Sequence, residues 1–249
     1  MEPQEYGLMF EVETAHWWYL GMEKITRATL NQWYSVNFNS SVLDAGCGTG
    51  AAMSTYLADY GHVTGIDVSP LALGFCRKRN LTSLALASVT NIPFPPESFD
   101  LVTSFDVLYE QAVRNDLAAL DEFFRVLRPG GLTLLRLPAY DWLRGQHDLT
   151  IHTARRYTVP QVTQLLKDSG FQPLRVTYAN TFLFPLALAK RLLERIFPPD
   201  PSSSDLSVNV GMLNGLFKHV LASEAFFVSR IGLPFGLSVI ALARKPQTA

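Results

Sequence analysis

Val42-Leu43-Asp44-Ala45-Gly46-Cys47-Gly48-Thr49-Gly50 sets a short apolar run carrying one acid against three closely spaced glycines. The pattern reads as a strand that delivers a glycine turn at its carboxyl end, where open α/β sheets receive ligands. Glycines there permit positive φ angles and let a ligand approach the backbone with no Cβ in the way. Asp67 closes the next β-branched run, so a second carboxylate stands at a neighbouring strand end, placed to accept hydrogen bonds from the hydroxyls of a ribose. The same letters satisfy a dinucleotide fingerprint, Gly46-x-Gly48-x-x-Ala51 followed by Asp67. Asp44 separates the two readings. A pyrophosphate gains nothing from an acid beside it, whereas a ligand carrying sulfonium and ammonium charges does.

Outward from this segment, short β-branched runs alternate with longer amphipathic stretches, the pattern of a parallel sheet covered by helices on both faces. Strands are expected at 42–45, 62–66, 83–87, 99–104, 132–137, 171–178 and 237–243. Ser69-Pro70 reads as an N-cap with proline at the first helical position, and Thr158-Val159-Pro160 opens another helix that closes at Gly170. Pro129-Gly130-Gly131 is expected to end the helix of residues 115–127. About sixty residues separate the last two strands. They hold an apolar segment at 182–196, a Pro- and Ser-rich linker and a second amphipathic stretch at 210–230, read as a helical lid or docking insertion over 181–233. Residues 1–40, with His16-Trp17-Trp18-Tyr19, read as a helical cap on a single domain spanning 1–249.

Composition narrows the function. With 48% hydrophobic and 17% charged residues the chain can bury a large core, and a formal net charge of -1 supplies no basic field to hold DNA or RNA. Cys47 and Cys76 do not suggest a disulfide framework, the N-terminus does not read as a secretory signal, and no run is long enough to span a membrane, so a cytoplasmic location is expected. Peripheral membrane contact through 182–196, a homodimer interface and an apolar substrate wall all remain open for the apolar segment, beside plain packing on the domain's own core.

The glycine segment resembles the first motif of class I S-adenosylmethionine-dependent methyltransferases. The likeness continues through Ile92-Pro93-Phe94-Pro95-Pro96-Glu97-Ser98-Phe99-Asp100-Leu101-Val102 and Val126-Leu127-Arg128-Pro129-Gly130-Gly131 to about Leu137, while His16-Trp17-Trp18-Tyr19 and the loop from Gly145 to Tyr157 are similar to a bacterial small-molecule branch of that family. The resemblance implies a seven-stranded, mostly parallel α/β sheet of order 3-2-1-4-5-7-6, and S-adenosylmethionine as cofactor. It implies methyl transfer to oxygen, nitrogen or carbon of a small molecule. Asp44, Gly46, Cys47, Gly48, Gly50, Asp67, Val68, Ser88, Val89 and Asp106 are then the cofactor-binding candidates. Two positions depart from the family pattern. Ser88-Val89 stands where many relatives have an acid for the adenine amino group, and Tyr109-Glu110 where many have Glu-His. The second departure keeps a non-catalytic, cofactor-binding accessory module in view, and the dinucleotide fingerprint keeps a nicotinamide-dependent oxidoreductase.

Methyl transfer is an in-line displacement that alignment and water exclusion accelerate, with a base needed only where the acceptor must lose a proton. Glu110, His147, His152 and Tyr109 are the candidates for that base, against the plainer reading of solvated loop residues. A metal held by His147, Asp148 and His152 is not expected, because Arg155 and Arg156 would repel it. Those arginines suit an anionic group on the acceptor, or ion pairs with loop acids. Trp18, Tyr19, Tyr140, Arg155, Arg156 and Tyr157 complete the acceptor-binding candidates. An acceptor with an apolar body and an acidic or phosphate group is the expectation.

Overall fold

The computed structural model describes residues 3–36, 39–145, 148, 153–196, 211 and 213–247. Two helices, α1 (Pro3–Val12) and α2 (Trp17–Trp33), precede β1 (Ser41–Ala45) and α3 (Ala51–Thr55). Then follow β2 (His62–Asp67), α4 (Pro70–Lys78), β3 (Leu84–Leu86), β4 (Phe99–Phe105), α5 (Asp116–Val126), β5 (Leu127–Pro138) and α6 (Val159–Asp168). The chain closes with β6 (Gln172–Ala179), α7 (Phe184–Ile196), α8 (Leu213–Ser223), α9 (Ala225–Arg230) and β7 (Ser238–Arg244). The sheet has the order β3-β2-β1-β4-β5-β7-β6. β1 pairs in parallel with β2 and β4, whereas β7 runs antiparallel to both β5 and β6.

Alternation along the strands builds two cores. Val42 of β1 and Leu134 of β5 face one side with Met22, Ile25 and Leu30 of α2, while Leu43 and Leu135 face the other with Leu120 and Phe123 of α5 and Leu166 of α6. Burial on both faces is why these strands read as nearly continuous apolar runs. Helix starts follow local chemistry. The Ser69 hydroxyl accepts from the Ala72 N–H at 3.3 Å, and Gln161 reaches back to the Thr158 N–H at 2.9 Å in a capping box.

Two expectations change. Pro129-Gly130-Gly131 does not separate a helix from a strand: α5 ends at Val126, β5 begins at Leu127, and the register jumps from Phe99↔Leu127 to Leu101↔Leu132. The motif is a bulge inside the strand, a position where proline costs no ladder hydrogen bond. The insertion after β6 is also not wholly a lid. Leu221 of α8 and Val228 of α9 are fully buried in the core shared with α2, and a Cβ on Gly21 of α2 would come within 2.6 Å of the Leu221 side chain. Residues 213–230 therefore also cover the sheet as a layer helix does, while α7, together with Phe217 of α8, lines the cavity at the ligand-binding edge.

Candidate active site

The carboxyl ends of β1, β2, β4 and β5 open into one cavity of about 770 Å³, roofed by α1, the start of α2 and α7. At its floor the chain leaves β1 through Gly46, with φ of 83°, and both the Gly46 and Cys47 N–H groups donate to the Ile66 carbonyl at 2.8 and 2.9 Å. No other residue fits at Gly46, because a Cβ would meet Val107 Cγ2 at 2.3 Å. Asp67 braces the turn from β2: its carboxylate accepts from Gly48 N–H at 3.0 Å and from Ser69 N–H at 2.9 Å. Each carboxylate oxygen has a further acceptor site beyond these single bonds.

Asp44 lies in the cavity wall, 2% exposed, and accepts a hydrogen bond from the Thr103 hydroxyl at 2.9 Å. Burial pushes its carboxyl up to about 7, against the pull of that hydroxyl and of Arg136. A carboxylate so placed is stabilised by any cation that enters beside it. Asp67 is shifted upward as well, chiefly by burial.

α1 closes the roof. Met9 Cε sits 3.2 Å from where a Gly48 Cβ would be, and Glu13 just beyond the helix accepts from the Thr49 hydroxyl and from Arg79 Nη2, the latter at 2.6 Å. Arg79 also donates to the Thr49 carbonyl at 3.1 Å and lays its guanidinium over the Phe10 ring at 4.3 Å. A second charge pair lines the cavity: Arg136 of β5 donates to Asp106 at 2.6 Å, with Trp18 and Phe105 against its guanidinium at 4.7 and 4.9 Å. Asp106 itself takes a positive φ of 59°.

Residues 43–135 match a family model described as a methyltransferase domain. Over 138 residues the chain is 30% identical to a probable S-adenosylmethionine-dependent methyltransferase of Mycolicibacterium smegmatis, covering 53% of this chain and 51% of that one. It is 35% identical over 127 residues to a demethylmenaquinone methyltransferase of Tropheryma whipplei, covering 48% and 47%. The chain thus spans about half the length of these curated relatives. Among solved structures, an S-adenosylmethionine-dependent methyltransferase of Thermotoga maritima aligns with a TM-score of 0.62 at 16% identity, over 97% of this chain and 95% of that one. Residues 43–135 are thus similar to a methyltransferase domain, and the chain shares its fold with a solved S-adenosylmethionine-dependent methyltransferase. S-adenosylmethionine is the cofactor of such enzymes, and the Asp44 and Asp67 carboxyl groups line one cavity.

The cavity gathers most of the residues singled out in the sequence. Asp44, Gly46, Cys47, Gly48, Asp67, Val68, Ser88, Val89 and Asp106 all line it, as do Trp18, Tyr19, Tyr109, Glu110 and Arg156. Gly50 does not. It caps α3 with its α-carbon toward Leu81 and Cys76, behind the turn. Tyr140 stacks on Tyr178 at 5.1 Å away from the cavity, and Tyr157 is buried, donating to the Leu108 carbonyl and to Asp116. Arg155 forms an ion pair with Asp116 at 2.8 Å and donates to the Leu108 and Val113 carbonyls, so its charge fastens the loop to α5 instead of facing a ligand. Arg156 reaches the wall but spends its fork on Asp148, at 2.9 and 3.0 Å. Burial opposes ionisation of Asp148, yet the Arg156 pair outweighs it and holds the carboxyl below the usual range. His147 and His152 lie outside the described residues.

Several lining residues carried no functional signal in the sequence. Glu5, Tyr6, Met9 and Glu13 come from α1 and its end, whereas Lys190 and Arg191 of α7 belong to the apolar segment already read as a substrate wall or membrane contact. Arg136 did carry one: a lone arginine within Leu132-Thr133-Leu134-Leu135-Arg136-Leu137 must find a partner once the strand is buried. His16 is committed as the N-cap of α2, its Nδ1 accepting from Trp18 N–H, and burial lowers its pKa, so the ring is neutral with its proton on Nε2.

Proposed function

We propose that this protein transfers the methyl group of S-adenosylmethionine to a small, amphiphilic acceptor with an anionic group. One observation carries the reading: a single cavity is lined both by the glycine turn with Asp44 and Asp67 and by Leu183 with Leu186, Ala187, Lys190 and Arg191 of α7. Asp67 holds the ribose hydroxyls, Asp44 receives the ammonium end of the cofactor, and Gly46 to Gly48 present backbone along it. Ser88 and Val89 take the adenine edge through hydroxyl and backbone, in place of the acid many relatives use. When bound, the cofactor supplies an electrophilic methyl on a sulfonium.

The rest of the chain's work is alignment and exclusion of water. Trp18, held flat by Arg136, and α1, held by Glu13 and Arg79, cover the reacting region. Glu110 is our candidate base for an acceptor that must lose a proton. Burial raises Tyr109 well above the ordinary phenol range, so it serves as a hydrogen-bond donor, not a base. Lys190 and Arg191 of α7, which line the cavity, are the groups we assign to the acceptor's anion. The relative named for demethylmenaquinone supports a small-molecule acceptor.

Calorimetry with S-adenosylhomocysteine and, separately, NADH tests the cofactor. Heat with the first alone is expected, and heat with NADH alone would overturn the proposal. Release of S-adenosylhomocysteine from S-adenosylmethionine, measured over a panel of alkyl phosphates, fatty acids and short polar acids, tests the acceptor class.

A further inference from the structure

Among the described residues, ten of the fifteen exposed large hydrophobic side chains lie between 182 and 235, on α7, α8, α9 and the turns beside them. Scattered exposed apolar residues are ordinary, whereas contiguous ones mark a contact surface. Contiguity is visible in the rings: Phe182 meets Phe227 with centroids 5.8 Å apart, and Phe227 meets Phe226 at 5.6 Å. Phe226 is 54% exposed and Ile231, at the end of the same helix, 64%. Nor are these side chains a core left unfilled. α8 and α9 already bury Leu221 and Val228 against α2, so the outward apolar face is additional to what the fold requires.

Charge selects the kind of surface this face would meet. α8 and α9 contain Lys218 and Arg230 and no acid. Glu224, at the start of α9, is fully buried and accepts from the Phe182 N–H at 2.7 Å, so it adds no outward negative charge. The linker acids Asp200 and Asp205 fall outside the described residues. In a chain of net charge -1 these helices are a local positive region. The Arg230 guanidinium lies over the exposed Phe226 ring at 5.5 Å, an apolar body with its cation alongside, as at a lipid–water boundary.

α7 joins this face to the cavity. Leu186 is 56% exposed and also lines the cavity, one turn from Lys190. We infer that the α7–α9 face docks on an anionic lipid surface and that the cavity draws its acceptor from that surface past Leu186. The second half rests on the amphiphilic acceptor proposed above; the first does not. No described helix is long and apolar enough to cross a membrane, so the contact is peripheral.

Co-sedimentation of the full chain with vesicles tests it, using phosphatidylcholine alone and phosphatidylcholine mixed with phosphatidylglycerol. The expected result is pelleting with the mixed vesicles and little with the neutral ones, weakening as salt is raised. Phe226→Ser with Ile231→Ser should reduce vesicle affinity by about tenfold or more, since each removes an apolar group that would enter the interface. Lys218→Glu with Arg230→Glu should abolish the preference for the anionic lipid. Circular dichroism and S-adenosylhomocysteine titration of both variants should match the wild type, because none of the four side chains lines the cavity. A wild-type chain that binds S-adenosylhomocysteine and stays in the supernatant with both vesicles overturns the docking and leaves the cofactor reading standing. Vesicle binding without S-adenosylhomocysteine binding does the reverse. Vesicle binding unchanged in both folded variants overturns the assignment to this face. So does a solution dimer, seen by sedimentation velocity, that Phe226→Ser with Ile231→Ser dissociates while vesicles go unbound.

Discussion

Asp44 makes cofactor affinity a function of pH. Its carboxyl is held near 7 by burial in the cofactor-free protein, so around neutrality it exists in both protonation states. A ligand ammonium entering beside it favours the ionised form, and binding then includes the cost of removing a proton whenever the pH is below that value. With a pKa of about 7 the ionised fraction rises from about 0.03 at pH 5.5 to about 0.76 at pH 7.5. The dissociation constant of S-adenosylhomocysteine should therefore fall about 25-fold across that interval, equivalent to about 1.9 kcal/mol. Asp44→Asn keeps an acceptor for the Thr103 hydroxyl but has nothing to ionise. Its affinity should sit near the wild type's acid limit, and its pH slope should lack the wild type's contribution.

Calorimetry at half-unit pH steps, in two buffers of different protonation enthalpy, measures both the slope and the proton released. Stability moves the opposite way in the cofactor-free chain. A carboxyl whose folded pKa lies above its unfolded value of 3.8 holds a proton that the unfolded chain gives up, so its favourable contribution is complete below that value and is lost as pH rises toward 7. Thermal melts of the wild type should fall relative to Asp44→Asn across that window. Equal pH slopes for the two proteins, in binding or in melting, would refute the assignment of this carboxyl.

Asp67→Ala should weaken S-adenosylhomocysteine binding by about 1.5 to 3 kcal/mol in calorimetry, from lost charged hydrogen bonds, with the fold retained; unchanged affinity would show that the ribose is held elsewhere. Arg155→Ala should lower unfolding stability in denaturant by about 1 to 3 kcal/mol, by freeing Asp116 and the Leu108 and Val113 carbonyls, and leave cofactor affinity alone. A raised acceptor Michaelis constant with unchanged stability would restore it to acceptor binding. Arg136→Met removes a charged partner of Asp106 and should lower unfolding stability by about 1.5 to 3 kcal/mol, partly regained in the double variant with Asp106→Asn, measured by denaturant titration. Arg79→Ala removes the tie that holds Glu13 and Phe10 over the glycine turn, so S-adenosylhomocysteine should dissociate faster in stopped-flow while the association rate changes little. An unaltered dissociation rate would show that α1 is not the gate.

Chain order, strand number and the glycine turn with its two acids were legible in the residues themselves. Each depends on local signals: apolar runs of strand length, Ser69-Pro70 and Thr158-Val159-Pro160 as helix starts, and closely spaced glycines at a strand end. The partners of charged side chains were not legible, because pairing is a long-range event. Arg155 and Arg156 look alike in sequence, yet one meets Asp116 on α5 and the other Asp148 in its own loop, and only the path of the backbone decides which. The same holds for the roof. Nothing within Pro3–Val12 says that Met9 will rest over Gly48, since that contact exists only after Arg79, on the far side of β2, binds Glu13. Residues 213–230 read as part of a helical lid or docking insertion from their position between strands; that Leu221 and Val228 also join the core depends on Gly21 of α2 leaving the space into which Leu221 packs. Local sequence selects conformation, whereas burial and charge pairing are settled between segments that meet only in the folded chain.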